Sequence, residues 1–261
     1  QLMKTDMKVI LMAHSQLSDK FKEILADGAE ELALKVEEGV ITDGQISTLT
    51  AIRTCYSANL PTEIAIKEGE KYFGKVATDG EGGTDADRLF RHITRSGHTS
   101  TLEHVSFTFA IEGVSRALLA QLTRHRVGFS FSVQSQRYVR LGSKDRSGGM
   151  KYLLPESVKT EEQRAAFESA MAQSQLYYDR LRQLGIPPED ARAVLPNATA
   201  TNLVMTSNLA ALLSFYAKRR KGNGAQHEIA ELAEAIRREV VAVEPWTDAY
   251  FEAATVPKGA H

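Results

Sequence analysis

Six bases lie between Gly113 and Lys144 with no carboxylate among them: Arg116, Arg124, Arg126, Arg137, Arg140 and Lys144. The centre of the stretch reads Arg124-His125-Arg126, then Val127 to Gln134, then Ser135-Gln136-Arg137-Tyr138. The whole chain has a formal charge of only -1, so the positive field is concentrated in one segment. Guanidinium forks, hydroxyls and amides at this density suit a small phosphorylated anion, held by bidentate and charge-assisted hydrogen bonds. Phe129, Phe131 and Tyr138 interleave with Ser130, Ser132, Gln134, Ser135 and Gln136. A solvated charged face has no need of three aromatics. Arginines beside stackable rings suit a nucleotide, with charge for phosphate and rings or guanidinium planes for a base or a flavin.

Two further constellations carry chemistry. Gly97-His98-Thr99-Ser100-Thr101-Leu102-Glu103-His104 holds two histidines and a glutamate. Their spacing is not the i, i+4 of a helical zinc motif, and no third ligand cluster follows, so a polar binding loop is the better reading. Arg192-Ala193-Val194-Leu195-Pro196 is followed by Asn208 and by Arg219-Arg220. Taken alone, Arg192 is a solvated helix residue, and the arginine pair simply complements a helix dipole. Cys55 is the single cysteine; it cannot close an intrachain disulfide, fits a reducing cytoplasm and reads as a small packed residue.

The elements that must position these residues alternate between helix and strand signals. Met7 to Met12 reads as a strand and Asp19 to Glu37 as a helix. Gln45 to Tyr56 and Thr62 to Phe73 follow as helices, with Asp43-Gly44 as a start or turn signal. The glycines from Gly80 to Gly83 make a loop, and Asp85 to Arg95 is a helix stopped at Gly97. Val105 to Ile111 alternates as a strand, and Ser115 caps a helix to about Arg124. The positive cluster then continues into a loop. Ser143 to Gly149 is a polar turn, and Thr160 to Leu184 a long amphipathic helix. Pro187-Pro188 starts a new unit with Glu189 and Asp190 in its first turn. Ala198 to Thr206 is strand-like, Asn208 to Arg220 helical, and Ala225 to Val243 the last long helix, after a break at Gly222 and Gly224.

With no long linker, the 261 residues read as one α/β domain, 1–261. A hydrophobic content of 43% and a charged content of 25% are those of a globular protein. No apolar run approaches the ~18 residues of a membrane span, and the first residues lack the apolar stretch of a signal peptide. Near-neutral charge argues against a nucleic-acid-binding protein. The expectations are therefore a cytoplasmic protein with no membrane and no nucleic-acid partner.

In their order along the chain these pieces resemble the flavin-dependent thymidylate synthases, over about Arg53 to Trp246. That family's signature is Arg-His-Arg, seven residues, then Ser-x-Arg-Tyr; here eight residues separate Arg126 from Ser135. Supporting matches are Gly97-His98 through Glu103-His104, Gln121, Arg192 to Pro196, Asn208, Ala225-Gln226 with Glu228-Ile229, and Pro245-Trp246-Thr247. The resemblance implies a mixed β-sheet flanked by helices and a homotetramer with shared active sites. It implies reductive methylation of dUMP to dTMP, with methylenetetrahydrofolate as carbon donor, FAD as cofactor and NADPH as reductant. Ser100, Glu103, Arg124, His125, Arg126, Asn208 and Ser214 match flavin-contacting positions. Gln121, Arg124, Ser135, Gln136, Arg137 and Arg192 match nucleotide-binding positions. Gln134 is chosen over Val133 for the position before the serine, toward flavin and nucleotide, because Val133 has no side-chain hydrogen bond to offer. Arg219 matches the arginine that polarises the uracil when counted from Asn208, whereas counting back from Glu228 gives Arg220. The competing class is a non-enzymatic nucleotide- or RNA-binding module using the same arginine–aromatic loop.

Overall fold

The computed structural model describes residues 3–253. Six strands are described: β1 (Met3–Lys4), β2 (Lys8–His14), β3 (Ser106–Ser115), β4 (Phe129–Val133), β5 (Lys151–Tyr152) and β6 (Ala200–Asn208). They form a two-stranded sheet, β1-β5, and a four-stranded sheet in the order β2-β3-β6-β4. β1 and β5 are parallel, with Met3 opposite Lys151 and Lys4 opposite Tyr152. The helices are α1 (Asp19–Gly28), α2 (Glu30–Glu37), α3 (Asp43–Tyr56), α4 (Pro61–Gly74), α5 (Asp85–Ser96), α6 (Arg116–Leu122), α7 (Glu161–Gln183), α8 (Pro188–Ala191), α9 (Leu209–Arg219), α10 (His227–Val243) and α11 (Asp248–Ala253). The α/β class expected from the sequence holds, with the strands in two sheets.

The chain divides into two compact units. The first comprises the described residues up to Ile10, Phe109–Thr206 and Lys218–Ile236; the second comprises Leu11–Thr108, Ser207–Ala217 and the described residues from Arg237 onward. In the first, Met150, Tyr152 and Met171 form a buried cluster against Leu141, Phe167, Leu195 and Ala198. In the second, Leu25, Leu32, Val36, Ile41, Ile46 and Ala65 are buried together, with Phe21, Ile66 and Phe73 packed on them.

Local chemistry sets the helix ends. Thr42, Thr84, Ser115 and Thr160 each cap a helix by accepting a backbone N–H, and Gly97 closes α5 in the left-handed conformation at φ 80°. α3 starts at Asp43, so Gly44 lies inside the helix rather than in a turn before it. A Cβ on Gly44 would meet the Glu244 carboxylate at 2.5 Å. Glu244 is 1% exposed and accepts from Gly44 N–H (3.1 Å), from the Thr42 hydroxyl and from the Trp246 indole (2.5 Å). Burial raises its pKa, and these donors oppose the shift.

Two expectations change. The stretch Asp19 to Glu37 is two helices, broken at Ala29 (φ -154°, ψ 70°). Gly28 is a weak helix former there, and Glu30 and Glu31 restart the helix with acids in its first turn. The segment after Arg126 is not loop throughout, because Phe129–Val133 forms β4. Its alternation of apolar and serine residues is a strand signal, and the half-buried and exposed positions follow that period of two. Among the described residues no helix is long and apolar enough to cross a membrane.

Candidate functional site

In the first unit, strand β3 delivers Ser115, whose hydroxyl caps α6 through Leu118 N–H at 3.0 Å. Ser115 in turn donates its backbone N–H (2.8 Å) and hydroxyl (2.5 Å) to the two carboxylate oxygens of Glu228 on α10. Six residues further on, Gln121 Nε2 donates to Gln226 Oε1 at 2.8 Å. The Gln226–Glu228 segment therefore clamps α6 at two points, and α6 ends where the Arg-His-Arg motif begins.

His125 sits at the centre of that motif. Arg219 Nε donates to His125 Nε2 at 3.0 Å, and Arg219 Nη2 to the Gln121 carbonyl at 3.3 Å. A ring nitrogen that accepts must be unprotonated. Burial is the main reason the imidazole stays neutral; the charges of Arg219, Lys218 and Arg124 add to it, and its pKa falls to about 4. Phe129 packs tilted against the His125 ring at 5.9 Å and stacks on Phe131 at 5.8 Å. The aromatics of the basic segment thus pack partly on one another and on the motif histidine. Arg124 and Arg126 are exposed and pair with no carboxylate among the described residues. Gln121 Oε1 is buried and has no hydrogen-bond partner among the described residues.

Further along the same unit, Gln134 is set by Asn202 of β6. Its backbone N–H donates to the Asn202 carbonyl (2.9 Å), and its side-chain oxygen accepts from Asn202 Nδ2 (2.9 Å). Asn202 Oδ1 also accepts from Gly113 N–H at 2.9 Å. Gly113 is at φ 66°, where a Cβ would meet the Asp6 carbonyl oxygen at 2.4 Å, so only glycine fits. Ser135 Oγ accepts from Arg137 N–H at 3.1 Å, and Gln136 lies half-buried between them. Arg137 Nε donates to Glu189 Oε2 (2.8 Å), and Arg192 Nε donates to the Glu189 carbonyl (3.0 Å). Burial lowers the pKa of Arg116, and the charge of Arg192 lowers it further.

The second unit holds the other candidates. Ser100 is exposed on the 3-10 turn Thr99–Leu102 and Glu103 is exposed just after it, its N–H donating to the Ser100 carbonyl at 3.1 Å. Beside it, the Tyr56 hydroxyl and His98 Nδ1 are 2.9 Å apart. Asn208 Oδ1 accepts from Ala211 N–H at 2.9 Å and so caps α9, while Ser214 is exposed on that helix. A cavity of about 230 Å³ lined by Leu32, Ile66 and Phe73, among others, contains none of the candidate residues.

The structure therefore joins Gln121, His125 and Arg219 in one hydrogen-bonded group, and Ser135, Arg137 and Arg192 in a second. Sequence reasoning passed over Glu189, Asn202 and Tyr56 as site residues. By sequence Glu189 is a first-turn acid, and Asn202 and Tyr56 lie outside the motifs. No group of His, Cys, Asp and Glu able to hold a metal occurs among the described residues.

Residues 40–246 match the family model described as thymidylate synthase complementing protein. A flavin-dependent thymidylate synthase from Geobacter sulfurreducens is 45% identical over 163 residues, covering 62% of this chain and 68% of that protein. One from Haloarcula marismortui is 36% identical over 187 residues, covering 64% and 75%. The crystal structure of the UMP/dUMP methylase PolB from Streptomyces cacaoi bound with 5-Br dUMP superposes with a TM-score of 0.69 at 22% identity, covering 98% of this chain and 100% of that one; this likeness establishes the fold.

Proposed function

Since the chain belongs to the thymidylate synthase complementing protein family, we infer that it is a flavin-dependent thymidylate synthase that methylates dUMP to dTMP. The observation that carries the reading is Arg219 bound through Nε to a neutral His125, with Nη2 on the Gln121 carbonyl. Nη1 makes no hydrogen bond among the described residues and is free to meet the pyrimidine edge. Methylation at C5 needs electron density there, and a fixed guanidinium near N3 and O4 stabilises the charge that develops. The buried acceptor Gln121 Oε1 suits a donor on the same ring.

Ser135, Arg137 and Arg192 form the phosphate end of the nucleotide site, with Gln134 and Gln136 beside them. FAD is the proposed cofactor, held in the first unit by Arg124, His125 and Arg126; Ser100, Glu103, Asn208 and Ser214 of the second unit are the other residues proposed to contact a flavin. Two exposed guanidinia without carboxylate partners fit a diphosphate. When bound, reduced flavin supplies the hydride. NADPH as reductant, methylenetetrahydrofolate as carbon donor and a cytoplasmic location belong to the same proposal. No protein nucleophile is needed. Ser135 Oγ serves the Arg137 backbone, and His125, the nearest histidine in sequence, is engaged by Arg219.

The family match runs through segments of both compact units, which supports treating 1–261 as one functional domain. A homotetramer with shared sites is proposed as well. Val127 (89% exposed) and Tyr138 (79%) present apolar surface within the signature segment, which favours burial by a second copy.

The test is purified protein assayed for flavin absorbance and for dTMP from dUMP, methylenetetrahydrofolate and NADPH. Yellow protein that makes dTMP is expected, and Arg219→Ala is expected to raise the barrier by about 3 kcal/mol with flavin retained. Colourless protein that binds nucleotide without turnover would favour the binding-module alternative. Near-normal turnover in Arg219→Ala with loss in Arg220→Ala would move the role by one residue.

A further inference from the structure

Glu189 stands outside every motif that led to the site, yet it touches two of the three proposed phosphate ligands. Its carboxylate accepts from Arg137 Nε at 2.8 Å, and its main-chain carbonyl accepts from Arg192 Nε at 3.0 Å. Each contact uses the Nε–H, the donor nearest the stem of the side chain. The Nη groups of both arginines make no hydrogen bond to any other described residue. The local chain explains how one residue reaches both. Pro188 starts α8 at its first position, with φ preset for a helix, and Glu189 follows in the first turn. The turn Arg192–Val194 then continues directly from α8 and brings the Arg192 side chain back over the Glu189 carbonyl.

We propose that Glu189 is a positioning residue for nucleotide phosphate, holding Arg137 and Arg192 by Nε so that their Nη edges face a shared anion. The inference rests on the reading of Ser135, Arg137 and Arg192 as the phosphate end of the dUMP site. A guanidinium has five donors in a rigid fork. Engaging one of them fixes the plane, and the two terminal nitrogens stay available for a phosphate oxygen pair. Two unbraced arginines would sample many rotamers and repel each other, and binding would have to order both. The single carboxylate offsets part of that repulsion without neutralising the cluster. Arg116, whose pKa falls through burial and through the charge of Arg192, adds a further cation nearby. The net charge of Arg116, Arg137, Arg192 and Glu189 is therefore positive, as a dianionic ligand requires.

The same geometry admits an opposite role, in which Glu189 competes with phosphate for Arg137. The two roles differ in sign, and the flavin-loaded enzyme can tell them apart. Glu189→Ala and Glu189→Gln are to be compared with the parent for dUMP KM, kcat, and equilibrium binding of dUMP and of deoxyuridine. The positioning role predicts that Glu189→Ala raises dUMP KM and Kd about fivefold, the scale of a partly exposed charge pair. It leaves kcat and deoxyuridine binding unchanged, because the nucleoside carries no phosphate. Glu189→Gln keeps an acceptor for the Arg137 Nε–H and recovers most of the affinity. Tighter dUMP binding in both variants would establish the competitor role and overturn the proposal. Equal weakening of dUMP and deoxyuridine, or no change in either, would also overturn it. A parent enzyme that binds no dUMP would fail the thymidylate synthase reading itself, a result separate from any variant.

Discussion

At the scale of single residues, the state of His125 decides what the Arg-His-Arg motif can do. Two arginines beside a histidine suggest only positive charge. In the fold the imidazole is buried enough to stay neutral, and it becomes an acceptor for a third arginine, Arg219. The linkage has a definite sign. The pKa of His125 in the folded chain is about 4 against an ordinary 6.5, so the unfolded chain binds the proton more readily. The stability this contributes is complete above pH 6.5 and is lost progressively as pH falls from 6.5 toward 4. Denaturant unfolding of the parent across that range is expected to show stability falling with pH. His125→Gln, which cannot titrate, is expected to flatten part of that slope. Identical slopes in the two proteins would mean that His125 is not the group responsible.

At the scale of elements, the helix termini carry more of the design than their interiors. The start of α3 is built around a buried carboxylate. Glu244 accepts from Thr42, Gly44 and Trp246, and so ties the N-terminus of α3 to the turn after α10. Carboxylate at a helix N-terminus is favourable on its own, and three donors satisfy its remaining lone pairs. Gly44 is there because the carboxylate takes the space a Cβ would occupy. Gly44→Ala normally favours a helix, yet here it is expected to destabilise by about 1–3 kcal/mol through overpacking against a buried charge. A thermal or denaturant midpoint equal to or above the parent's would show that Glu244 moves aside at little cost. The Gln226–Glu228 clamp on α6 works in the same way at the other motif helix: its two side chains fix the start and the last turn of α6, and hence the origin of the basic segment.

At the scale of the whole molecule, the exposed apolar residues matter most. Val127 and Tyr138 are joined by Leu176 (68%), Tyr177 (63%) and Leu184 (61%) on and just after α7. Scattered exposed hydrophobics are ordinary, but these fall in the signature segment and along one helix. A tetramer that buries them and completes its sites across subunits is expected to lose specific activity on dilution, in step with dissociation seen by sedimentation. Activity per chain that persists in a demonstrated monomer would refute the shared site.

What the sequence determined by itself is local. The cap at Ser115, the stop at Gly97 and the start at Pro187-Pro188 depend on neighbours within a turn, so residue type and spacing suffice to find them. The ordered motifs identified the family for the same reason, because each is a short string with its own chemistry. The break at Ala29 and the strand at Phe129–Val133 were less legible, since two local tendencies competed in each. Only the tertiary structure decided which residues meet. Arg219 reaches His125 across 94 positions, Ser115 reaches Glu228 across 113, and Arg137 reaches Glu189 across 52. No spacing rule encodes such pairs, because they arise when the packing of distant elements fixes side chains that the local chain leaves free. The neutral state of His125 is of the same kind: burial and the charges around it set the proton, and both exist only once the chain has folded.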